Sequence, residues 1–493
     1  MSDITITKKN EAYLKVKCEP GIAQELHSHF TFDVPGAKFT PMFRNKVWDG
    51  QLHLFSLFTN QIYAGLRPYI KHFAEVNNYT YNDLEYIQTL DNVNFEQVKN
   101  FVDNLKLVSK DKSIQIRDYQ LQAIYQSIKD GRRLLLSPTG SGKSLIIYVL
   151  LRWNEQFGRK QLIVVPTTSL VEQLFSDFQD YSTQNGWKAS HNCYRIYGTV
   201  TKTNDMPITI STWQSLHKLP KKFFDEFKVV YGDECHLFKA KSLTTIMQKC
   251  ISAPYRYGTT GTLDGTKIHK LVLEGLFGQV YRTTTTKDLI ENKQLADLKI
   301  YALILQYDDQ IKKNNKGLKY QDEMDFLVQH EPRNKFIRNL ALDQKGNTLV
   351  LFQFVEKHGK ILNDMIQQKT QNRKVFFIYG GTETQQRENA RKITEGETNA
   401  IIIASFGTFS TGINIKNLHN IIFASPSKSR IRNLQSIGRG LRIGDNKTKC
   451  KLYDIGDDMS WKSRKNYTLL HMIERIKIYA DEEFDYSLIK VDL

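Results

Sequence analysis

The sequence predicts an α/β protein in which two tandem units, each built on a parallel sheet, follow a small α/β module at the N-terminus. Three observations lead there. Short apolar runs alternate with helical patterns from residue 114 to about 285, the pattern of parallel strands joined by crossover helices. The alternation resumes at 298 and continues to about 455, so a second unit of similar size follows the first. A chain of 493 residues has room for two to four domains with ample cores. No repeat and no long low-complexity tract interrupts the order.

Residues 1–105 mix strand-like and helix-like runs and are expected to form the N-terminal module, a nucleic-acid-binding one. Within it FTPMFRNKVWDGQLHLF (39–55) sets Asp49-Gly50 between two strand-like runs, a hairpin signal. Arg44, Lys46 and Trp48 put charge and an aromatic surface beside that turn. They are candidate nucleic-acid contacts, with burial of Trp48 in a small core as the alternative. The polar KLVSKDKS (106–113) reads as a linker. The first unit, 106–285, has RLLL, QLIVVP, PITIS and FKVVY as strands and RTTTTK (282–287) as its exit. The second, 286–460, has LKIYALIL, NTLVLF, KVFFIY, AIIIAS, NIIFAS and CKLYDI. Residues 461–493 are expected as a helical tail. Leu469, Met472, Ile473, Ile476 and Tyr479 form a stripe that packs back on the second unit, and its polar face is too weakly basic for a membrane-surface helix. The lysine-rich DDQIKKNNKGLKYQDE (308–323) reads either as a solvated insertion or as an element that tracks phosphates or separates a duplex.

Lys and Arg outnumber Asp and Glu by 69 to 52, a net +17. That excess favours a polyanionic partner, nucleic acid before a membrane surface. No apolar run reaches transmembrane length, and the N-terminus is mixed and charged rather than a signal peptide. Five scattered cysteines suit reduced thiols, so the expected location is the cytoplasm.

Chemistry enters at SPTGSGKS (137–144), which follows the strand RLLL and precedes the apolar helix LIIYVLLRW. Strand, glycine-rich loop and helix are the context of a phosphate-binding loop. Ser137, Pro138, Thr139, Gly140, Ser141 and Gly142 form the loop, and Gly140 and Gly142 let backbone N–H groups converge on phosphate oxygens. Lys143 is assigned to the β and γ phosphates and Ser144 to magnesium. Ser137 stands where the usual pattern has its first glycine. Further on, GDECHLF (232–238) ends the strand FKVVY. Four metal-ligand residue types in a row cannot close on one ion at a strand end, because neighbouring side chains point to opposite faces. Paired with a phosphate loop about ninety residues upstream, Asp233 fits the magnesium shell and Glu234 the attacking water. The expected cofactors are therefore ATP and magnesium, not zinc.

With these motifs in order, residues 114–460 resemble the superfamily-2 DExH helicases, which implies two RecA-like units. The resemblance assigns roles residue by residue. Tyr119 and Gln120 in IRDYQLQAI match the element that reads adenine. Pro166, Thr167 and Thr168 in VVPTTSLVEQ, and Ser211, Thr212 and Gln214 in ISTWQSL, match two motifs that hold a nucleic-acid strand. TTGT (259–262) stands where the family has Ser-Ala-Thr, coupling hydrolysis to strand movement. ASFGTFSTGINIKNL matches the fifth motif, with Ser405 and Thr411 at the strand, Gly412 at the nucleotide, and Asn414 where many relatives have Asp. QSIGRGLR supplies Gln435, Arg439 and Arg442 as the sixth. Those three recur every three or four residues and so share a helical face. An arginine there is suited to reach a γ-phosphate bound by the other unit, a contribution of roughly three to five powers of ten in rate.

DExH alone leaves the substrate open. The FRxxxWDG-like hairpin before the motor and the YADEEFDY ending resemble the UvsW family of phage recombination helicases over nearly the full length. That resemblance implies a DNA motor for Holliday-junction branch migration, D-loop and R-loop unwinding and strand annealing. It implies branched, single- and double-stranded DNA as partners, with RNA–DNA hybrids and single-strand-binding or recombinase proteins as candidates, in the host cytoplasm. The rival readings are an RNA or RNA–DNA hybrid helicase, a restriction-complex motor subunit and a non-catalytic basic DNA-binding protein.

Overall fold

The computed structural model describes residues 2–84, 91–198, 205–238, 241–370, 372–412, 415–444 and 447–493. The chain divides into two compact units, Met1–Ser137 with Gly142–Thr283, and Pro138–Ser141 with Thr284–Leu493.

The first unit is centred on a seven-stranded sheet. Its strands lie in the order Cys193–Ile196, Ile208–Thr212, Gln161–Val165, Val229–Gly232, Tyr255–Thr260, Arg132–Leu136, Val280–Arg282, and every pairing is parallel. Successive strand side chains face opposite sides, so the sheet feeds two cores. Leu134, Leu162, Val164 and Val230 enter one; Leu135, Ile163, Val165, Val229 and Tyr231 enter the other. Three of the seven strands carry no clear sequence signal. The central one, Tyr255–Thr260, is buried at every position although it contains Arg256. That guanidinium is fully buried and donates to the carbonyls of Ala253, Met247 and Cys250. Burial pulls its pKa down to about 9.

The N-terminal module has a four-stranded sheet in the order Gln61–Tyr63, Tyr13–Cys18, Ile4–Lys8, Tyr81–Asp83. Its buried residues, among them Ile4, Ile6, Leu26, Phe30, Leu66 and Phe73, belong to the same core as Leu134 and Val230. The contact runs through the helix Lys267–Phe277. A Cβ on Gly65 would stand 1.9 Å from the Glu274 carbonyl, and one on Gly275 would stand 2.9 Å from Tyr63. Only glycine permits this approach. Tyr69 then donates to Glu274 Oε2 at 2.6 Å.

Three expectations change here. The helix Phe95–Asn104, whose Asn94 and Gln97 form a capping box, buries Val98 and Val102 in the opposite core of the first sheet, so the 105/106 boundary falls inside that packing. The expected linker 106–113 is a small antiparallel hairpin, Val108–Ser109 with Lys112–Ser113, that buries Leu107 and Val108. The expected tight turn at Asp49-Gly50 is absent. Asp33 pairs with Gln51 across a wide loop, and residues 41–44 form a helical turn rather than a strand. Thr40 caps that turn and Pro41 occupies its first position, a helix-starting pair.

The second unit repeats the architecture. Its strands lie in the order Val375–Ile378, Ile401–Ser405, Thr348–Phe352, Asn420–Phe423, Lys449–Asp458, Asp297–Gln306, Tyr486–Asp492, again all parallel. The tail is more than helical: after the helix Tyr467–Asp481 it adds the last strand, Tyr486–Asp492, alongside Asp297–Gln306. The buried face of that helix includes Arg475, which bonds Asp454 at 2.7 Å, both fully buried, while Ile473 and Ile476 are only half-buried. A second buried pair, Arg333 and Asp457, is joined by Tyr307, which donates to Asp457 Oδ1 at 2.8 Å. Among the described residues no helix is long and apolar enough to cross a membrane.

Candidate active site

The strand Arg132–Leu136 runs into the phosphate loop, and Gly142 starts the helix Lys143–Glu155. Gly140 and Gly142 have φ of 89° and 83°, the left-handed region that glycine enters without strain. The loop thereby turns directly into the helix N-terminus, where an anion is stabilised. A Cβ on Gly142 would stand 2.4 Å from Gln120 Nε2. Gln120 therefore sits directly against the loop, 3 % exposed, with its Oε1 accepting from the Arg117 N–H at 3.0 Å. The hydroxyl of its half-buried neighbour Tyr119 accepts from Arg117 Nη1 at 2.9 Å. Ser137, in the place of a glycine, is buried. Its N–H donates to Thr260 O at 2.8 Å and its Oγ accepts from Thr283 at 3.0 Å, so backbone and hydroxyl together tie the loop to the segments on both sides. Ser141 Oγ donates to Pro138 O at 2.7 Å, and Pro138 and Thr139 are half-buried. Lys143 Nζ donates to Ser137 O at 3.3 Å, and Ser144 Oγ lies 2.9 Å from the Tyr181 hydroxyl.

Two strands away, Asp233 follows Val229–Gly232 and is 6 % exposed. Its Oδ1 accepts from Thr259 Oγ1 at 2.7 Å and from the Glu234 N–H at 2.9 Å, which fixes the carboxylate plane. Burial, then the Glu234 charge, pushes the Asp233 pKa up, and Lys143 opposes the rise. Glu234 has φ of 50°, a sharp left-handed turn at the strand end. Its Oε2 lies 3.3 Å from His236 Nδ1, which is 3.1 Å from Thr260 Oγ1. The His236 carbonyl meets His269 Nε2 at 2.9 Å. The acid pair, Thr259-Thr260 and the helix Lys267–Phe277 thus share one hydrogen-bonded network. Sequence reading did not identify Thr259 and Tyr181 as partners of Asp233 and Ser144, since hydroxyls 26 and 37 residues distant carry no local signal.

The residues that the resemblance assigns to nucleic-acid holding occupy the next two strand ends. Val165 pairs with Thr212, so the segments beginning at Pro166 and Trp213 emerge side by side. Thr167 caps the helix Thr168–Tyr181, accepting from the Leu170 N–H at 3.3 Å. Gln214 Nε2 reaches Pro166 O at 3.4 Å, Thr212 Oγ1 lies 3.1 Å from Ser215 Oγ, and buried Ser211 donates to Ile196 O at 2.9 Å. Thr168 and Gln214 are exposed. All five segments leave the carboxyl ends of adjacent parallel strands, the edge where open α/β sheets bind ligands.

In the N-terminal module Arg44 and Lys46 are exposed, whereas Trp48 is half-buried and donates from Nε1 to Gln51 O at 2.7 Å. The loop also exposes Phe39, Met42 and Val47, which the sequence did not single out.

In the second unit Ser405 ends the strand Ile401–Ser405. Its Oγ lies 2.8 Å from Thr408 Oγ1 and accepts from the Thr408 N–H at 3.3 Å. Thr411 and Gly412 end the helix Phe406–Gly412, and Asn414 lies outside the described residues. The helix Arg430–Gly440, capped by Ser429, carries Gln435 and Arg439, both half-buried, as is Arg442 just beyond. Lys447, 1 % exposed, donates to the carbonyls of Gly440, Arg442 and Lys416, and holds the end of this arginine segment in place.

Comparison with known proteins finds helicase and restriction-enzyme families along the chain. Family models match at residues 3–83 (DNA helicase UvsW, N-terminal), 113–265 (type III restriction enzyme, res subunit) and 332–444 (helicase conserved C-terminal domain). The ATP-dependent DNA helicase uvsW of Enterobacteria phage T4 is 34 % identical over 510 residues, covering all of both chains. The DNA 3'-5' translocase XPB2 of Sulfurisphaera tokodaii is 26 % identical over 71 % of this chain and 84 % of its own. The crystal structure of T4 UvsW superposes with a TM-score of 0.54 at 31 % identity over 99 % of each chain. The DNA-bound type ISP restriction-modification enzyme LlaBIII gives 0.56 over 84 % of this chain and 33 % of its own; at 15 % identity it speaks to fold alone.

Proposed function

Because the chain belongs to the UvsW family of superfamily-2 ATP-dependent DNA helicases, we propose that it is a phage-encoded motor, working in the host cytoplasm, that remodels branched DNA by migrating Holliday junctions and displacing the invading strands of D-loops and R-loops. The observation that carries the reading is the shared sheet edge. The phosphate loop and Asp233-Glu234 lie on one half of it and the Pro166–Thr168 and Ser211–Gln214 segments on the other, with Val164 paired to both Gly232 and Ser211. A change at the acid pair is thus one strand away from a segment suited to hold DNA.

In this reading Lys143 and the loop N–H groups neutralise the phosphates of ATP, and Tyr119 and Gln120 hold the adenine. Ser144 and Asp233 offer the hard oxygen donors that suit magnesium, and the two hydrogen bonds on Asp233 Oδ1 preset its orientation. When bound, the ion would neutralise charge on the β and γ phosphates. Glu234 accepts a hydrogen bond from the attacking water, and Arg439 and Arg442, oriented with Gln435, stabilise the charge that builds up in the transition state. Pro166, Thr167, Thr168, Ser211, Thr212, Gln214, Ser405 and Thr411 grip the DNA backbone, while Gly412 and Asn414 lie by the nucleotide. Arg44, Lys46 and Trp48 approach the branch. Single-strand-binding and recombinase proteins are proposed partners.

The test is ATPase stimulation by single-stranded DNA, duplex, a four-way junction, an R-loop and RNA, with strand displacement followed on the branched substrates. The reading expects the junction and R-loop to stimulate most. Stimulation by RNA without stimulation by DNA would reject it.

A further inference from the structure

The carboxyl edge of the second sheet carries a groove that the helicase motifs do not use. The adjacent strands Asp297–Gln306 and Lys449–Asp458 each end in an elaborate connection. After the first come the helices Asp309–Asn314 and Tyr320–Gln329, separated by a turn at Gly317 with φ of 77°. After the second, Trp461 and Arg464 pair across a turn in which Lys462 has φ of 54°. Between the two connections lies a cavity of about 560 Å³ lined by Lys316, Trp461, Arg464, Lys465 and Tyr467. Arg464 lies close against the Gly317 turn, 3.1 Å from where a Cβ would stand. Tyr467 also lines a second cavity of about 370 Å³, with Tyr320, Lys428 and Arg432.

The charge there is one-sided. Lys316, Lys428, Arg464 and Lys465 are exposed, and among the described residues none of them forms an ion pair with a carboxylate. The carboxylate in the lining, Glu323, is 2 % exposed and accepts from the N–H groups of Tyr467 and Thr468 and from Asn466 Nδ2, so it is turned inward and, among the described residues, pairs with none of them. Unneutralised cations around an aromatic-lined cleft, spread over two cavities that share a tyrosine, fit an extended polyanion with flat faces better than a small anion. A duplex hides its base faces, whereas a single strand exposes them. We propose that this groove binds a segment of single-stranded DNA, with phosphodiester groups on Lys316, Arg464 and Lys465 and a base stacked on Trp461. The proposal rests on the motor reading above and adds a strand site outside its motifs.

The experiment uses the full chain. Lys316→Ala, Arg464→Ala and Lys465→Ala are combined and compared with a charge-matched control, Lys345→Ala, Lys369→Ala and Lys449→Ala, exposed positions near the opposite sheet edge. Binding of oligodeoxythymidylate and of a blunt duplex is measured against salt, beside DNA-free ATPase and melting. Each lost phosphate contact lowers the log–log salt slope by about 0.7 for a single strand, so the groove variant is expected to lose about 2 and the control less than half of that. DNA-free ATPase should be unchanged in both. Separately, unmodified protein crosslinked to iododeoxyuridine-substituted single strand should carry the adduct on the peptide containing Trp461. An equal slope in groove variant and control, loss confined to the duplex, or no adduct on that peptide overturns the groove. Absence of any DNA-stimulated ATPase in the unmodified protein overturns the motor reading itself, and the proposal with it.

Discussion

Asp233, the proposed magnesium-shell acid, sits where its charge has a cost in stability. It is nearly buried, close to Glu234, and its pKa is raised by burial first and by that neighbour second. Above the raised pKa the folded state carries a penalty for the charge, and the penalty fades as pH falls through that pKa toward the ordinary 3.8. Asp233→Asn keeps an acceptor for Thr259 and the Glu234 N–H while removing the charge. The variant is therefore expected to melt higher than the unmodified protein at neutral pH without nucleotide, by on the order of 1 kcal/mol or about 2 °C, and to lose ATPase. The melting gap should close as the pH is lowered; a variant that melts lower at pH 7 would contradict the burial argument. At this scale the sequence singled out candidate residues, because a strand-end acid pair and a glycine-rich loop are local patterns. It did not show what holds them. Thr259, Tyr181 and the seat of Gln120 against Gly142 depend on chain segments brought together only by the sheet.

Elements were legible where their hydrophobic pattern was continuous. The strands Gln161–Val165 and Ile401–Ser405 are nearly unbroken apolar runs, as parallel strands covered on both faces should be. Tyr255–Thr260 was hidden by a buried arginine, and the segment 39–48 by its apolar content, since Thr40-Pro41 starts a helical turn there. Asp49 also does something other than turn a tight hairpin. Its Oδ1 accepts from the Gln51 N–H at 2.9 Å and its Oδ2 meets His53 Nε2 at 2.9 Å, a side-chain-stabilised bend. The contact of Gly65 with the helix Lys267–Phe277 had no sequence signature at all. Gly65→Ala puts a methyl 1.9 Å from the Glu274 carbonyl, a backbone atom that cannot swing aside. The expected cost is about 1–3 kcal/mol or more, read as a lower denaturation midpoint with an unchanged slope. An unchanged midpoint would mean that the module is not seated on this helix as described.

Across the whole molecule, the two sheets follow from the alternation of the sequence, but the division of labour among segments does not. The N-terminal 105 residues pack on both sides of the first unit, the module of Ile4 through Phe73 against the helix Lys267–Phe277 and Val98 through Leu105 in the core on the other face of the sheet. Removing them would uncover the helix Lys267–Phe277 where Gly65 and Tyr69 meet it, and strip helix packing from the opposite core. A fragment of residues 2–283 is therefore expected to unfold in one cooperative transition, and 106–283 to aggregate or bind a hydrophobic dye. The longer fragment keeps the phosphate loop, Asp233, Glu234 and Gln120, yet lacks Gln435, Arg439 and Arg442. If those arginines act in the transition state, it should bind nucleotide with near-normal affinity and hydrolyse it about 10³–10⁵-fold more slowly than the full chain. Fluorescent nucleotide titration and single-turnover hydrolysis on the same sample separate the two quantities. Full-chain turnover by a folded 2–283 fragment would place all of the catalytic machinery in the first unit and leave the arginine segment without its assigned role.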